Sequence, residues 1–283
     1  MRFNIVSFRN ILIALLITAL SLLFLNFDRS GKPDLKGKDK VVGLDYFYNH
    51  EFKSDREGKK VQFHYIWEDE ENSGFSVLGK LIENQGARIS EIKNAPSGSD
   101  LEKLSIYIIV DPDTPIETAS PNYISDSSIT KIERWVNKGG VLVLLANDKG
   151  NCEFEHLNNL ADKFGIHFNE DSRNKVVNNN FDMGKFDKLP VHPIFNSVKK
   201  IFLKEISTLK LDNPAEPILI EGKDIIMAGS SYGKGFVFDV GDPWFYNEYI
   251  DNRILPAEFE NYKAASNLFE WLLGKSAIVS KSK

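Results

Sequence analysis

One cysteine, Cys152, stands in 283 residues, so the chain can form no intramolecular disulfide and no metal cluster built on several thiolates. A surplus of positive charge is missing too. Against 35 Lys and Arg stand 40 Asp and Glu, for a net charge of -5, which argues against a nucleic-acid partner because neutralising phosphates needs a basic face. There is no internal repeat, and the histidines lack the helix spacing of a metal motif. No metal and no other cofactor is therefore expected. What the chain does have, 42% hydrophobic residues, suffices for a large core.

Arg2 and Arg9 precede an uncharged apolar run at residues 11–25. At about fifteen residues this run falls short of the roughly twenty a spanning helix wants, yet no small-x-small cleavage site follows it before Asn26-Phe27-Asp28-Arg29. Residues 1–29 thus read equally as a signal peptide or an N-terminal membrane anchor, and the basic flank places the rest of the chain across the membrane. The expected location is periplasmic or exported, with residues 10–27 as an inner-membrane anchor if uncleaved. Membrane contact is expected through this segment alone. Residues 30–40 read as a solvated linker, 41–274 as the folded domain and 275–283 as a tail.

Apolar strand patterns at 41–46, 104–110 and 141–146 alternate with helical spacing at 75–82, 129–136 and 153–163, as a parallel, helix-covered sheet requires. Residues 104–110 are almost continuously apolar, the mark of a strand covered on both faces. Residues 168–189 read as a long surface excursion. Strand patterns at 202–209, 217–220, 225–228 and 236–240 predict an antiparallel extension, and 264–273 a closing helix. Right-handed crossovers bring Asp111-Pro112-Asp113 and Asn147-Asp148 to one sheet edge, where α/β folds carry their sites.

The run from Gly241 to Asp251 is the densest in chemistry, with Asp242, Trp244, Tyr246, Asn247 and Glu248 following an apolar strand. Aromatic faces suit the C–H surface of a sugar, and carboxylates and amides its hydroxyls; a packed aromatic loop is the competing reading. Together with Tyr48-Asn49-His50-Glu51, His64-Tyr65-Ile66-Trp67-Glu68-Asp69, Asp111-Pro112-Asp113-Thr114, Gly139-Gly140 and Asn147-Asp148, this run resembles a domain found beside unsaturated rhamnogalacturonyl and glucuronyl hydrolases. It also resembles the stand-alone oligosaccharide dehydratases of ulvan breakdown. The resemblance spans about residues 41–274 and implies a class I glutamine amidotransferase-like, flavodoxin-like catalytic domain. It does not carry glutaminase chemistry, because Gly150-Asn151-Cys152-Glu153-Phe154 keeps only the first glycine of a nucleophile elbow.

The activity implied by the resemblance is a carbon–oxygen lyase, a dehydratase acting on the non-reducing-end glucuronic or iduronic acid of ulvan oligosaccharides. Its product carries a 4,5-double bond and passes to a glycuronyl hydrolase. Such a reaction needs a base for the C5 proton, an acid for the leaving hydroxyl and donors that neutralise the uronate. His50 and His64 are the leading acid/base candidates, with Tyr65 and Tyr246 as alternatives. Arg253 and then Lys234 are the candidate clamps for the anionic oligosaccharide. Trp67 and Trp244 are candidate sugar platforms; Glu68, Asp111, Asp113, Asn147, Asp148, Asn247 and Glu248 are candidate hydroxyl partners. The alternative function is a non-catalytic carbohydrate-binding or accessory module, which no sequence feature separates from the enzyme.

Overall fold

The computed structural model describes residues 35–277. The chain divides into Met1–Leu35 and Lys36–Lys283, and the second unit is an α/β fold with a mixed sheet flanked by helices. In chain order it contains β1 (Val41–Asp45), β2 (Phe52–Ser54), β3 (Lys60–Gln62), α1 (Ser76–Asn84), β4 (Arg88–Ile92), α2 (Gly98–Leu101), β5 (Ile106–Val110), α3 (Asp126–Asn137), β6 (Val141–Leu145), α4 (Phe154–Ala161) and β7 (Ile166–Phe168). There follow β8 (Lys185–Phe186), β9 (Ile201–Phe202), β10 (Leu209–Leu211), β11 (Ala215–Glu221), β12 (Asp224–Tyr232), β13 (Gly235–Val240), α5 (Asn247–Ile250) and α6 (Asn261–Lys275).

The main sheet runs β4-β1-β5-β6-β13-β12-β10-β7, with β11 on β12. The strands β4, β1, β5, β6 and β13 are mutually parallel, and pairing turns antiparallel from β12 outward. Residues 236–240 were expected in the antiparallel extension. Instead β13 inserts beside β6, so the chain leaves the parallel core, builds its flank and returns. The expected strand at 202–209 splits into β9 and β10, with Glu205 between them at φ 50.

Every residue of β1, β5, β6 and β13 is buried. One core takes Ile106, Ile108, Val141, Val143, Phe236 and Phe238 with α1 and α6; the other takes Tyr107, Ile109, Leu142, Leu144 and Val237 with α3 and α4. Strand alternation thus feeds both faces, and each fully buried aliphatic side chain adds about 1.5–3 kcal/mol. The helices are delimited locally. Ser125 caps α3 through the Ser128 N–H, and α3 stops before Gly139 at φ 119.

Residues 36–40, read as linker, lie within the second unit: Gly37 N donates to Gln85 O, and Lys40 is buried. The segment at 1–29 lies outside the described residues. Among those described, no helix is long and apolar enough to cross a membrane. The expected membrane contact through residues 10–27, and the periplasmic, inner-membrane-anchored location that rests on it, therefore find no support among the described residues.

Asp239 is the anomaly of the sheet. It is the second-last residue of β13, fully buried, and neither carboxylate oxygen has a hydrogen-bond partner among the described residues. Burial alone pushes its carboxyl well above the usual range. Ile108→Ala should cost about 2–5 kcal/mol, whereas Asp239→Val, which removes an unsatisfied polar group, should be neutral or stabilise by about 1–3 kcal/mol. Urea denaturation of both variants checks the contrast; a large loss for Asp239→Val means that the carboxyl is satisfied in solution.

Candidate functional site

The C-terminal ends of β1, β5, β6 and β13 form one sheet edge. A cleft of about 400 Å³ opens there, lined by His64 and Tyr65 from the loop after β3, Asn147 and Asn151 after β6, and Asp242, Tyr246 and Glu248 after β13. Lys53, Lys204, Glu205 and the 71–73 turn complete its rim. Two turns hold the lining in place by backbone geometry that side chains rarely adopt. His64 and Tyr65 have φ of 69 and 52, and Asp111, directly after β5, has φ 42.

Tyr65 and Tyr246 meet edge to face with ring centroids 5.9 Å apart, and His64 stacks on Tyr65 at 4.0 Å. His64 Nδ1 lies 2.5 Å from Glu51 Oε1. Asp111 sits one layer behind the cleft and accepts from Asn147 Nδ2 at 3.0 Å. Burial, with Glu117 and other carboxylates nearby, raises its carboxyl well above the ordinary range. Burial likewise lifts Asp242 to about 8, against the stabilising Lys204 N–H bond. Both cleft tyrosines are pushed up, first by burial and then by neighbouring carboxylates. At neutral pH the floor therefore presents mainly uncharged hydroxyl and carboxyl groups.

Of the expected site residues, the cleft brings together His64, Tyr65, Tyr246, Asn147 and Glu248. Asp111 and Asp148 stand behind them; Asp148 accepts from Asn151 and Ser172. The others lie elsewhere, and for each a contact explains it. His50 packs edge to face on Phe52, and its N–H donates to Asp113, whose second donor is Thr118. Burial raises Asp113 to about 6. Trp67 is a core residue donating from Nε1 to Ser90 O, and Glu68 accepts from Tyr46 on the outside. Trp244, 1% exposed, packs on Phe245 and offers no sugar platform.

Asn247 is fully buried and structurally committed. Its Oδ1 accepts from Val77 N at the start of α1, while Nδ2 donates to Asp69 O, Glu71 O and Ser76 Oγ. Arg253 is turned into an ion pair with Asp251 and donates to Glu70 O. Lys234 precedes β13 and so lies at the opposite end of the sheet. Neither cation chosen to hold a uronate reaches the cleft. Sequence reasoning missed Lys53, the 71–73 turn, Asn151, Lys204 and Glu205 as lining. The last two fell inside a stretch read as strand, and no local signal marks the break.

No protein-family model matches the chain. An uncharacterized protein of Aquifex aeolicus (strain VF5) is 28% identical over 161 residues, covering 53% of this chain; the match spans 63% of that protein's own length. Among solved structures, the mmIFT52 N-terminal domain is similar at TM-score 0.63 and 17% identity, over 82% of this chain and 97% of that one. The cytoplasmic protein STM1381 from Salmonella typhimurium LT2 is similar at TM-score 0.55 and 13% identity, over 82% and 99%. These likenesses show a shared fold. They leave the expected lyase without support, since none of these structures is named for a dehydratase, ulvan, uronic acid or the periplasm.

Two outcomes test this geometry. Asp113, Asp45 and Asp242 are raised by burial to about 6, 7 and 8. The stability their protonation confers is full below the unfolded carboxylate value of about 3.9 and is lost as pH rises through 6–8. Melting temperature should fall between about pH 5 and pH 9, and Asp242→Asn should flatten the upper part of that fall; a rise over this range contradicts the assignment. Asn247→Ala should cost about 2–4 kcal/mol, since it strands several buried partners. A denaturation curve superimposable on wild type would show that those bonds are not made.

Proposed function

We propose that the protein is a non-catalytic carbohydrate-binding or accessory module whose ligand occupies the cleft at the C-terminal sheet edge. The observation that carries this reading is convergence. His64 and Tyr65, Asn147 and Asn151, and Asp242 and Tyr246 come from three distant stretches of chain to line one cleft. Aromatic surface beside uncharged hydroxyls and amides is the chemistry a polyol recognises. The motif resemblance to domains found beside unsaturated glycuronyl hydrolases belongs to the same proposal and supplies its setting, polysaccharide degradation. The finer fold assignment, a class I glutamine amidotransferase-like and flavodoxin-like core, is supported by the parallel order β4-β1-β5-β6-β13. In that order the chain reverses direction between β1 and β5, whose C-terminal ends share the sheet edge on which the cleft opens.

Several features weigh toward binding rather than turnover. The expected clamp cations lie away from the cleft, Asn247 and Trp244 are structural, and the tyrosines are held in their neutral form by burial. Calorimetry of the purified protein against neutral, amino and acidic oligosaccharides, followed by mass spectrometry, tests the reading. Saturable binding with unchanged sugar mass is expected, and Asn151→Ala, which removes a rim amide, should weaken it about three- to tenfold. Loss of one water from a bound sugar overturns the non-catalytic reading; absence of binding to every saccharide overturns the carbohydrate reading.

A further inference from the structure

Two oxygens in the cleft, the Tyr246 hydroxyl and Asp242 Oδ1, have no hydrogen-bond partner among the described residues. Tyr246 is 8% exposed and lines the cleft, and burial and charge act on its phenol with no hydrogen bond to it among the described residues. Asp242 is 2% exposed and also lines the cleft, yet only its Oδ2 is engaged, accepting from Lys204 N at 2.7 Å. A buried polar group aimed into open space and left unpaired is costly unless a ligand satisfies it.

The charges around this pair favour one sign. Glu71, Glu205 and Glu248 line the cleft around it, against Lys53 and Lys204. Both cations are already engaged: Lys204 Nζ lies 3.1 Å from Glu205 Oε2, and Lys53 Nζ stands 4.7 Å over the Phe63 ring. The faces of Tyr65 and Tyr246 add a surface that attracts cations and repels anions.

Resting on the carbohydrate reading above, we propose that the cleft selects an ammonium-bearing saccharide, an amino sugar whose protonated amine is held by Asp242 and the Tyr246 oxygen. Burial holds the Asp242 carboxyl at about 8, and an incoming ammonium stabilises its carboxylate, so that the carboxyl proton is lost to solvent. Binding then releases a proton near neutral pH. Lys204, Glu205 and Asp148 also act on that carboxyl, and their balance sets how complete the release is.

The test is calorimetry on the full chain with three saccharides of equal length: a glucosamine oligomer, its N-acetylated counterpart and a uronyl counterpart. The glucosamine oligomer should bind about tenfold or more tighter than the N-acetylated one, the scale of one charge-assisted hydrogen bond. Its heat should change with the ionisation enthalpy of the buffer, reporting the released proton. Asp242→Asn should abolish both the preference and the proton release, and Tyr246→Phe, which keeps the ring, should lower affinity for the glucosamine oligomer while retaining proton release. Equal affinity for the first two, or tightest binding of the uronyl oligomer, overturns the ammonium assignment and leaves the carbohydrate reading standing. If the folded protein binds none of the three or any broader panel, the carbohydrate reading falls with it.

Discussion

A strand covered by helices on both faces has no place for a polar side chain except its ends. In β1, β5, β6 and β13 every residue is buried, so the hydrogen-bonding chemistry these strands carry is displaced to Asp45, Asp111, Asn147 and Asp242. Asp239 is the exception, and its carboxyl pairs with nothing among the described residues. The same desolvation that makes the sheet stable raises its edge carboxyls above the usual range. Fold and site are therefore two results of one constraint: a dry sheet yields a cleft whose floor is polar but largely uncharged.

The second determinant is a single amide. Asn247 joins the turn at 69–71 and the first residues of α1 to the loop that leaves β13. That tie spans more than a hundred residues of sequence and holds the loop carrying Tyr65 against the loop carrying Tyr246. Gly241 works alongside it. A Cβ there would stand 1.9 Å from Ser207 O, so only glycine lets β13 end against residues 204–208 and bring Lys204 and Glu205 to the cleft rim. The aromatic run 244–249 is consequently divided by role, with Trp244, Phe245 and Asn247 building the loop and Tyr246 and Glu248 facing the cleft.

This division explains why residue type misleads at such an edge. Tryptophan and asparagine beside carboxylates match the composition of a sugar site, yet Trp244 and Asn247 are 1% and 0% exposed. Tryptophan has the largest apolar area to bury, and an amide with both donor and acceptor capacity is the best tie for backbone ends. Arg253, the obvious partner for an anion, finds its carboxylate in Asp251 two residues away. An exposed arginine with a local acid needs no ligand.

The sequence by itself determined the alternation of buried strands and amphipathic helices, the edge at which Asp111 and Asn147 emerge, and where α3 and β5 end, because periodicity and helix-stopping glycines are local. It marked His64, Tyr65 and Tyr246 as chemistry-bearing. Only the tertiary structure decided that β13 enters the parallel core, that Lys204 and Glu205 reach the cleft, and that Arg253 and Lys234 do not. Those outcomes depend on strand order and on which loop packs against which, contacts between residues far apart in the chain that no local pattern encodes.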